Sequence, residues 1–187
     1  AKTGEELKTY LNALSDLPQG ITYEGNVYRS LGVNSEKNFG AVPEKMTSHE
    51  VWSSWGRYDL QGEENAMYLS KTLPGNQTEL VPHYGQWVDF STYKFENVKA
   101  ENLLDLTDDL TRQKLGTEFN QLTKVLEDKD EMYEFTNVIA SWARQKGYNG
   151  IVAPGARGAK DYQNIILFNQ NYIDIILTGK TRIKINK

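Results

Sequence analysis

The chain has 187 residues, 39% of them hydrophobic, a length at which one core still serves the whole polypeptide, so the expectation is a single domain over 1–187. It has no cysteine and only two histidines, His49 and His83, which excludes a disulfide framework and thiolate metal ligands and argues against structural zinc. Its 25 acidic and 21 basic residues leave a net charge of −4, so no global attraction to nucleic acid is expected, and no apolar run approaches the ~18 residues of a membrane span.

Leu7, Leu11 and Leu14 recur at helical spacing after Gly4, predicting a short amphipathic helix that ends at the Pro18-Gln19-Gly20 turn. Ile21 to Leu31, with Gly25-Asn26 inside, reads as two short strands or one bulged strand that delivers Arg29. A loop from Gly32 to Thr47 and a helical turn from Ser48 through Trp55 precede the strand Met67 to Ser70. Val88 to Phe95 is a strand whose alternation slips near Thr92-Tyr93, suggesting a bulge there, and Leu103 to Leu106 is another strand. Thr107 or Asp108 caps a helix towards Leu115. Glu131 to Lys146 is the clearest helix, with Phe135, Ile139 and Trp142 on one stripe and Gly147 as its stop. Strands at Gly150 to Ala153, Asn164 to Phe168 and Tyr172 to Lys184 follow, the last folded back at Thr178-Gly179-Lys180, and its basic tail reads as the solvated face of a strand. Helices and short strands in this irregular order argue α+β: central mixed or antiparallel sheets flanked by helices.

The usual hydrolase and phosphoryl-transfer motifs are missing: there is no Gly-x-Ser-x-Gly turn and no Walker-type loop. What remains is a set of arginines, tyrosines and a glutamate at strand ends and in loops. Such a set suits chemistry in which arginine forks clamp a pyrophosphate, aromatic rings stack on a base, and a carboxylate stabilises a cation developing on a sugar. Taken singly, Arg29 reads as a surface ion pair, Tyr68 as a half-buried strand residue, and Glu79 as a solvated loop carboxylate. Trp52, Trp55, Trp87 and Trp142 read as packing, with Trp52 and Trp55 the pair that would border a cleft.

Three ordered blocks change that weighting. They are Val27-Tyr28-Arg29; Gly56-Arg57-Tyr58-Asp59-Leu60-Gln61-Gly62 with Ala66-Met67-Tyr68-Leu69-Ser70 and Glu79; and Leu104-Asp105-Leu106-Thr107 with Ala140 through Gly147-Tyr148-Asn149-Gly150-Ile151, Pro154-Gly155-Ala156-Arg157 and Asn164 to Phe168. In order and spacing they resemble the RES family of NAD-degrading or ADP-ribosylating bacterial toxins. The resemblance implies an ADP-ribosyltransferase-like fold and cleavage of the nicotinamide–ribose bond of NAD, with water, phosphate or a protein as acceptor and no metal. It implies Arg29 on the pyrophosphate, Tyr68 stacked on the nicotinamide and Glu79 at the ribose, with Tyr28, Arg57, Tyr58, Gly155 and Asn164 lining the substrate. The family has a serine where this chain has Gly155, so either backbone groups and water serve there or another residue, such as Ser30 or Ser70, supplies the hydroxyl.

The same resemblance implies a cognate immunity protein or antitoxin as partner, with neither membrane nor nucleic acid involved. An N-terminus without methionine or a secretion signal is what a cargo domain cut from a larger secreted effector, acting in the target-cell cytoplasm, would show. Two other classes stay open: a ribonuclease toxin using His49, His83 and a lysine, and a non-catalytic binding domain.

Overall fold

The computed structural model of the chain describes residues 3–32, 58, 66–72, 90–124, 126–155, 162–168 and 180–185. Helix α1 (Gly4–Ala13) begins at Thr3, whose hydroxyl accepts the Glu6 amide at 3.2 Å, and it buries Leu7 and Leu11 completely. Strand β1 (Ile21–Gly32) is one continuous strand. Its register slips between Gly25 and Val27, where Gly25 takes a φ of 147° that side chains rarely adopt, so of the two readings of this segment the bulged strand is observed.

Strand β2 (Met67–Ser70) is where the alternation places it. Strand β3 (Phe90–Asp105) overturns the expectation of two separate strands: it runs unbroken for 16 residues. Polar Glu96, Lys99, Glu101 and Asn102 masked the continuity, yet Val98 and Ala100 between them are buried and the long β1 pairs along the whole stretch. No bulge occurs at Thr92-Tyr93, since pairing there is continuous with both β1 and β6. The irregular position is Asn102, with a φ of 55°.

Asp108, of the two candidate caps, starts α2 (Asp109–Lys114), its carboxylate accepting the Thr111 amide at 2.8 Å and thereby held below the usual aspartate pKa. A short α3 (Phe119–Thr123) follows, which the periodicity did not suggest. The predicted helix from Glu131 is interrupted: α4 (Lys129–Met132) and α5 (Glu134–Gln145) are separated at Tyr133. In α5 the stripe Phe135, Ile139 and Trp142 is buried as expected, and Gly147 ends the helix with a φ of 87°. The Trp142 indole donates to the Leu11 carbonyl at 3.0 Å, locking α5 to α1. Strands β4 (Gly150–Pro154), β5 (Gln163–Leu167) and β6 (Lys180–Ile185) are the remaining described strands; the predicted hairpin turn at Thr178-Gly179 lies outside the described residues.

One mixed sheet holds all six strands in the order β1-β2-β5-β4-β3-β6, with β1 also paired to β3. The hydrogen bonds therefore return on themselves through β1, β2, β5, β4 and β3, and β6 extends the N-terminal half of β3. Among the described pairings only β3–β4 is parallel. Two buried clusters reflect the closure. Val27, Met67, Leu69, Phe95, Val98, Ala100, Leu103, Val152, Ile165 and Leu167 come from all five strands of the ring and from no helix, which marks the inside of the barrel. The second cluster joins the outer strand face, including Leu104, Ile151, Ala153 and Ile166, to Leu7, Leu11, Ile139 and Trp142 of the helices. Strand residues thus alternate between an all-strand interior and a helix-covered exterior.

Candidate functional site

Several of the predicted residues converge on one end of the barrel, where β2 and β4 leave the sheet and β5 enters it. Tyr28 pairs with Ser70, Ser70 with Asn164, and Asn164 with Ala153, a row that crosses four strands. Directly opposed residues share a face, so Tyr28, Ser70 and Asn164 all lie on the helix side with Ala153. Ser70 is buried, and its hydroxyl donates to Asn164 Oδ1 at 3.1 Å. Of the two serines considered as hydroxyl sources, Ser70 is thus beside a predicted substrate residue.

Tyr68 also faces the helices, opposite Ile166, and packs against their core with its ring half-buried. Its hydroxyl accepts the Tyr58 backbone amide at 2.9 Å. Tyr58 itself is core, 3% exposed. The Tyr58 carbonyl accepts from Arg144 Nη2 at 3.5 Å, and the Arg144 guanidinium lies 4.1 Å from the Phe168 ring centroid. Tyr58 is therefore anchored through both backbone groups, by Tyr68 on one side and α5 on the other.

Arg29 goes to the other face. No register slip separates it from Val27, so alternation turns it with Val27 towards the barrel interior, where it is 8% exposed. Arg29 and Tyr68 do not line one wall. This is a property of register that the spacing of the two residues in sequence could not reveal. Arg57, Glu79, His49, His83, Trp52, Trp55 and Trp87 lie outside the described residues, while Trp142 is core.

Gly155 follows Pro154 at the end of β4, and its amide donates to the Tyr162 carbonyl at 2.9 Å. A Cβ at this position would stand 2.2 to 2.5 Å from carbons of the Tyr162 ring. Gly155 is thus the floor under a buried aromatic ring, and Tyr162 is the residue that sequence reasoning missed. Among the described residues no cluster of three or more histidine, cysteine or acidic side chains is placed to hold a metal ion, and no helix is long and apolar enough to cross a membrane.

The arrangement offers two chemical surfaces at one barrel end: a hydroxyl and amide row of Tyr28, Ser70 and Asn164, suited to polar hydroxyl-bearing groups, and an interior-facing guanidinium suited to an anion. No protein-family model matches the chain, and no curated protein matches it significantly. Among solved structures it is similar to a chain in the crystal structure of the M. tuberculosis MbcT–MbcA toxin–antitoxin complex, at 14% identity and a TM-score of 0.56, over 95% of this chain and 91% of that one. The chain shares the fold of that protein, an α+β arrangement matched nearly end to end.

Proposed function

We propose that this protein is a toxin that consumes NAD by breaking the nicotinamide–ribose bond, acting as a single catalytic domain of ADP-ribosyltransferase-like fold. The observation that carries the reading is the convergence of Tyr28, Ser70, Asn164 and Gly155 on one barrel end, with Arg29 next to Tyr28 in β1 and turned to the interior. Support for the toxin part comes from the fold shared with a chain of a toxin–antitoxin complex, and a cognate antitoxin or immunity protein is the partner this implies.

In this reading Arg29 holds the pyrophosphate through charge-assisted hydrogen bonds, and Tyr28 and Asn164 orient the ribose. Glu79 faces the positive charge that develops on the ribose as nicotinamide departs, an interaction stronger in the transition state than in the ground state. Tyr68, with its hydroxyl committed to the Tyr58 amide, contributes its ring to the nicotinamide pocket. No step requires a metal, so activity should survive EDTA.

Expression of the unmutated chain alone in bacteria provides the cellular test. Growth should slow and the NAD pool should fall before any loss of RNA, and a co-expressed cognate antitoxin should reverse both. High-level expression with normal growth and undiminished NAD would contradict the toxin reading, and early RNA loss with NAD intact would favour a ribonuclease.

A further inference from the structure

Lys71 follows β2 directly and is half-buried, but neither motif nor spacing singles it out. Its amide donates to the Gln163 carbonyl at 3.2 Å, continuing the β2–β5 ladder by one step. Its ammonium donates to Gln163 Oε1 at 2.7 Å and lies 5.1 Å from the centroid of the Tyr23 ring. Tyr23 in turn packs on the all-strand interior cluster, and its hydroxyl donates to the Asn26 carbonyl at 2.6 Å. The lysine stem is therefore placed, and its head points to the interior side of the barrel mouth.

Among the described residues no carboxylate stands within ion-pairing distance of Lys71. Asp105, whose charge acts on the lysine, has Oδ1 engaged by the Thr107 amide at 3.0 Å. Burial pushes the lysine below its ordinary pKa, and Asp105 offsets only part of that. An ammonium taken partly out of water, with an amide oxygen and an aromatic face for company, keeps donor capacity and an excess positive potential for an anion.

Arg29 shares this face. Continuing the antiparallel Tyr28–Ser70 register by one residue makes Arg29 and Lys71 diagonal neighbours, a relation in which residues stand roughly 7–8 Å apart and their Cβ atoms somewhat less. Two long cationic side chains from those positions can each hold one phosphoryl group of a single diphosphate.

We propose that Lys71 and Arg29 form a two-cation receptor for a diphosphate, with Gln163 and Tyr23 holding the lysine in place. This deepens the NAD reading, on which it rests for the reaction, by setting the substrate class: molecules joined through a pyrophosphate are accepted, and nucleoside monophosphates are not.

The test uses the whole chain, with inorganic pyrophosphate and inorganic phosphate as probes in titration calorimetry. Pyrophosphate should bind clearly tighter than phosphate. Lys71→Met should weaken pyrophosphate roughly ten- to a hundredfold, the size expected on losing a hydrogen bond from a charged donor, and Lys71→Arg should recover most of the loss. As a readout that needs no variant, acylation of Lys71 in the wild-type protein, followed by peptide mass spectrometry, should be slowed by pyrophosphate. Equal affinity for both anions, unchanged pyrophosphate binding in folded Lys71→Met, or acylation of Lys71 indifferent to pyrophosphate would each overturn the proposal. NAD loss in the same samples separates the two ideas. Lys71-dependent pyrophosphate binding without NAD loss keeps the receptor and removes the reaction, whereas NAD loss with the same KM in Lys71→Met keeps the reaction and removes the receptor.

Discussion

Glu79→Gln should lower NAD turnover by at least about a hundredfold while leaving NAD affinity close to wild type, the loss expected when preorganised electrostatic stabilisation of a transition state is removed. Glutamine keeps the size and hydrogen-bonding reach of the side chain and removes only its charge. In the proposed mechanism that charge matters when the ribose becomes cationic, after binding is complete. Arg29→Ala should behave differently, because the guanidinium contacts the pyrophosphate in ground and transition states alike. KM should rise along with the fall in turnover. His83→Ala should leave NAD turnover near wild type, whereas a ribonuclease built on His83 would lose its activity. Turnover and binding are to be measured with each fold checked by thermal melt. Wild-type turnover in folded Glu79→Gln would take this carboxylate out of the catalytic set.

Gly155→Ser, which introduces the serine of the family the sequence resembles, should destabilise the protein and fail to raise its activity. The added Cβ meets the Tyr162 ring at 2.2 to 2.5 Å, and that ring is itself only 6% exposed, so it has little room to retreat. Overpacking of this kind costs about 1–3 kcal/mol. For a chain of this length that corresponds to a Tm lowered by roughly 2–12 °C. The cost should be coupled to the ring: in a Tyr162→Ala background the serine should be tolerated, and the double-mutant cycle should return most of the penalty as interaction energy. A serine accepted at full stability beside an intact Tyr162 would show that the ring is not what selects glycine here.

Much of the scaffold was legible because local signals and tertiary packing agree. Leu7 and Leu11 repeat at helical spacing and are both fully buried. Gly25 marks the bulge in β1, Asp108 caps α2, and Gly147 stops α5. Elements failed to show where long-range pairing decides. The stretch from Glu96 to Asn102 is too polar to read as a strand, but β1 runs alongside it and carries β3 through. The break at Tyr133 carries no glycine or proline to announce it.

The candidate site divides in the same way. Tyr28, Ser70 and Asn164 are far apart in the chain and become one row only through the β1–β2–β5 register. That register also turns Arg29 and Tyr68 to opposite faces, which no count of residues between them could foretell. Gly155 was recognisable as a departure, but its cause, Tyr162, sits across the β4–β5 connection. Lys71 looked like any basic residue at a strand end. Its distinction is the company of Gln163 and Tyr23, and each of those contacts is tertiary.

The central claim is that the folded chain cleaves NAD at the nicotinamide–ribose bond, and the direct measurement is chromatographic quantification of NAD and free nicotinamide after incubation with purified wild-type protein. Loss of NAD matched mole for mole by nicotinamide, over many turnovers per protein molecule and unaffected by EDTA, is the expected result. Intact NAD and no nicotinamide, in the presence of protein whose thermal melt shows it folded, would contradict it.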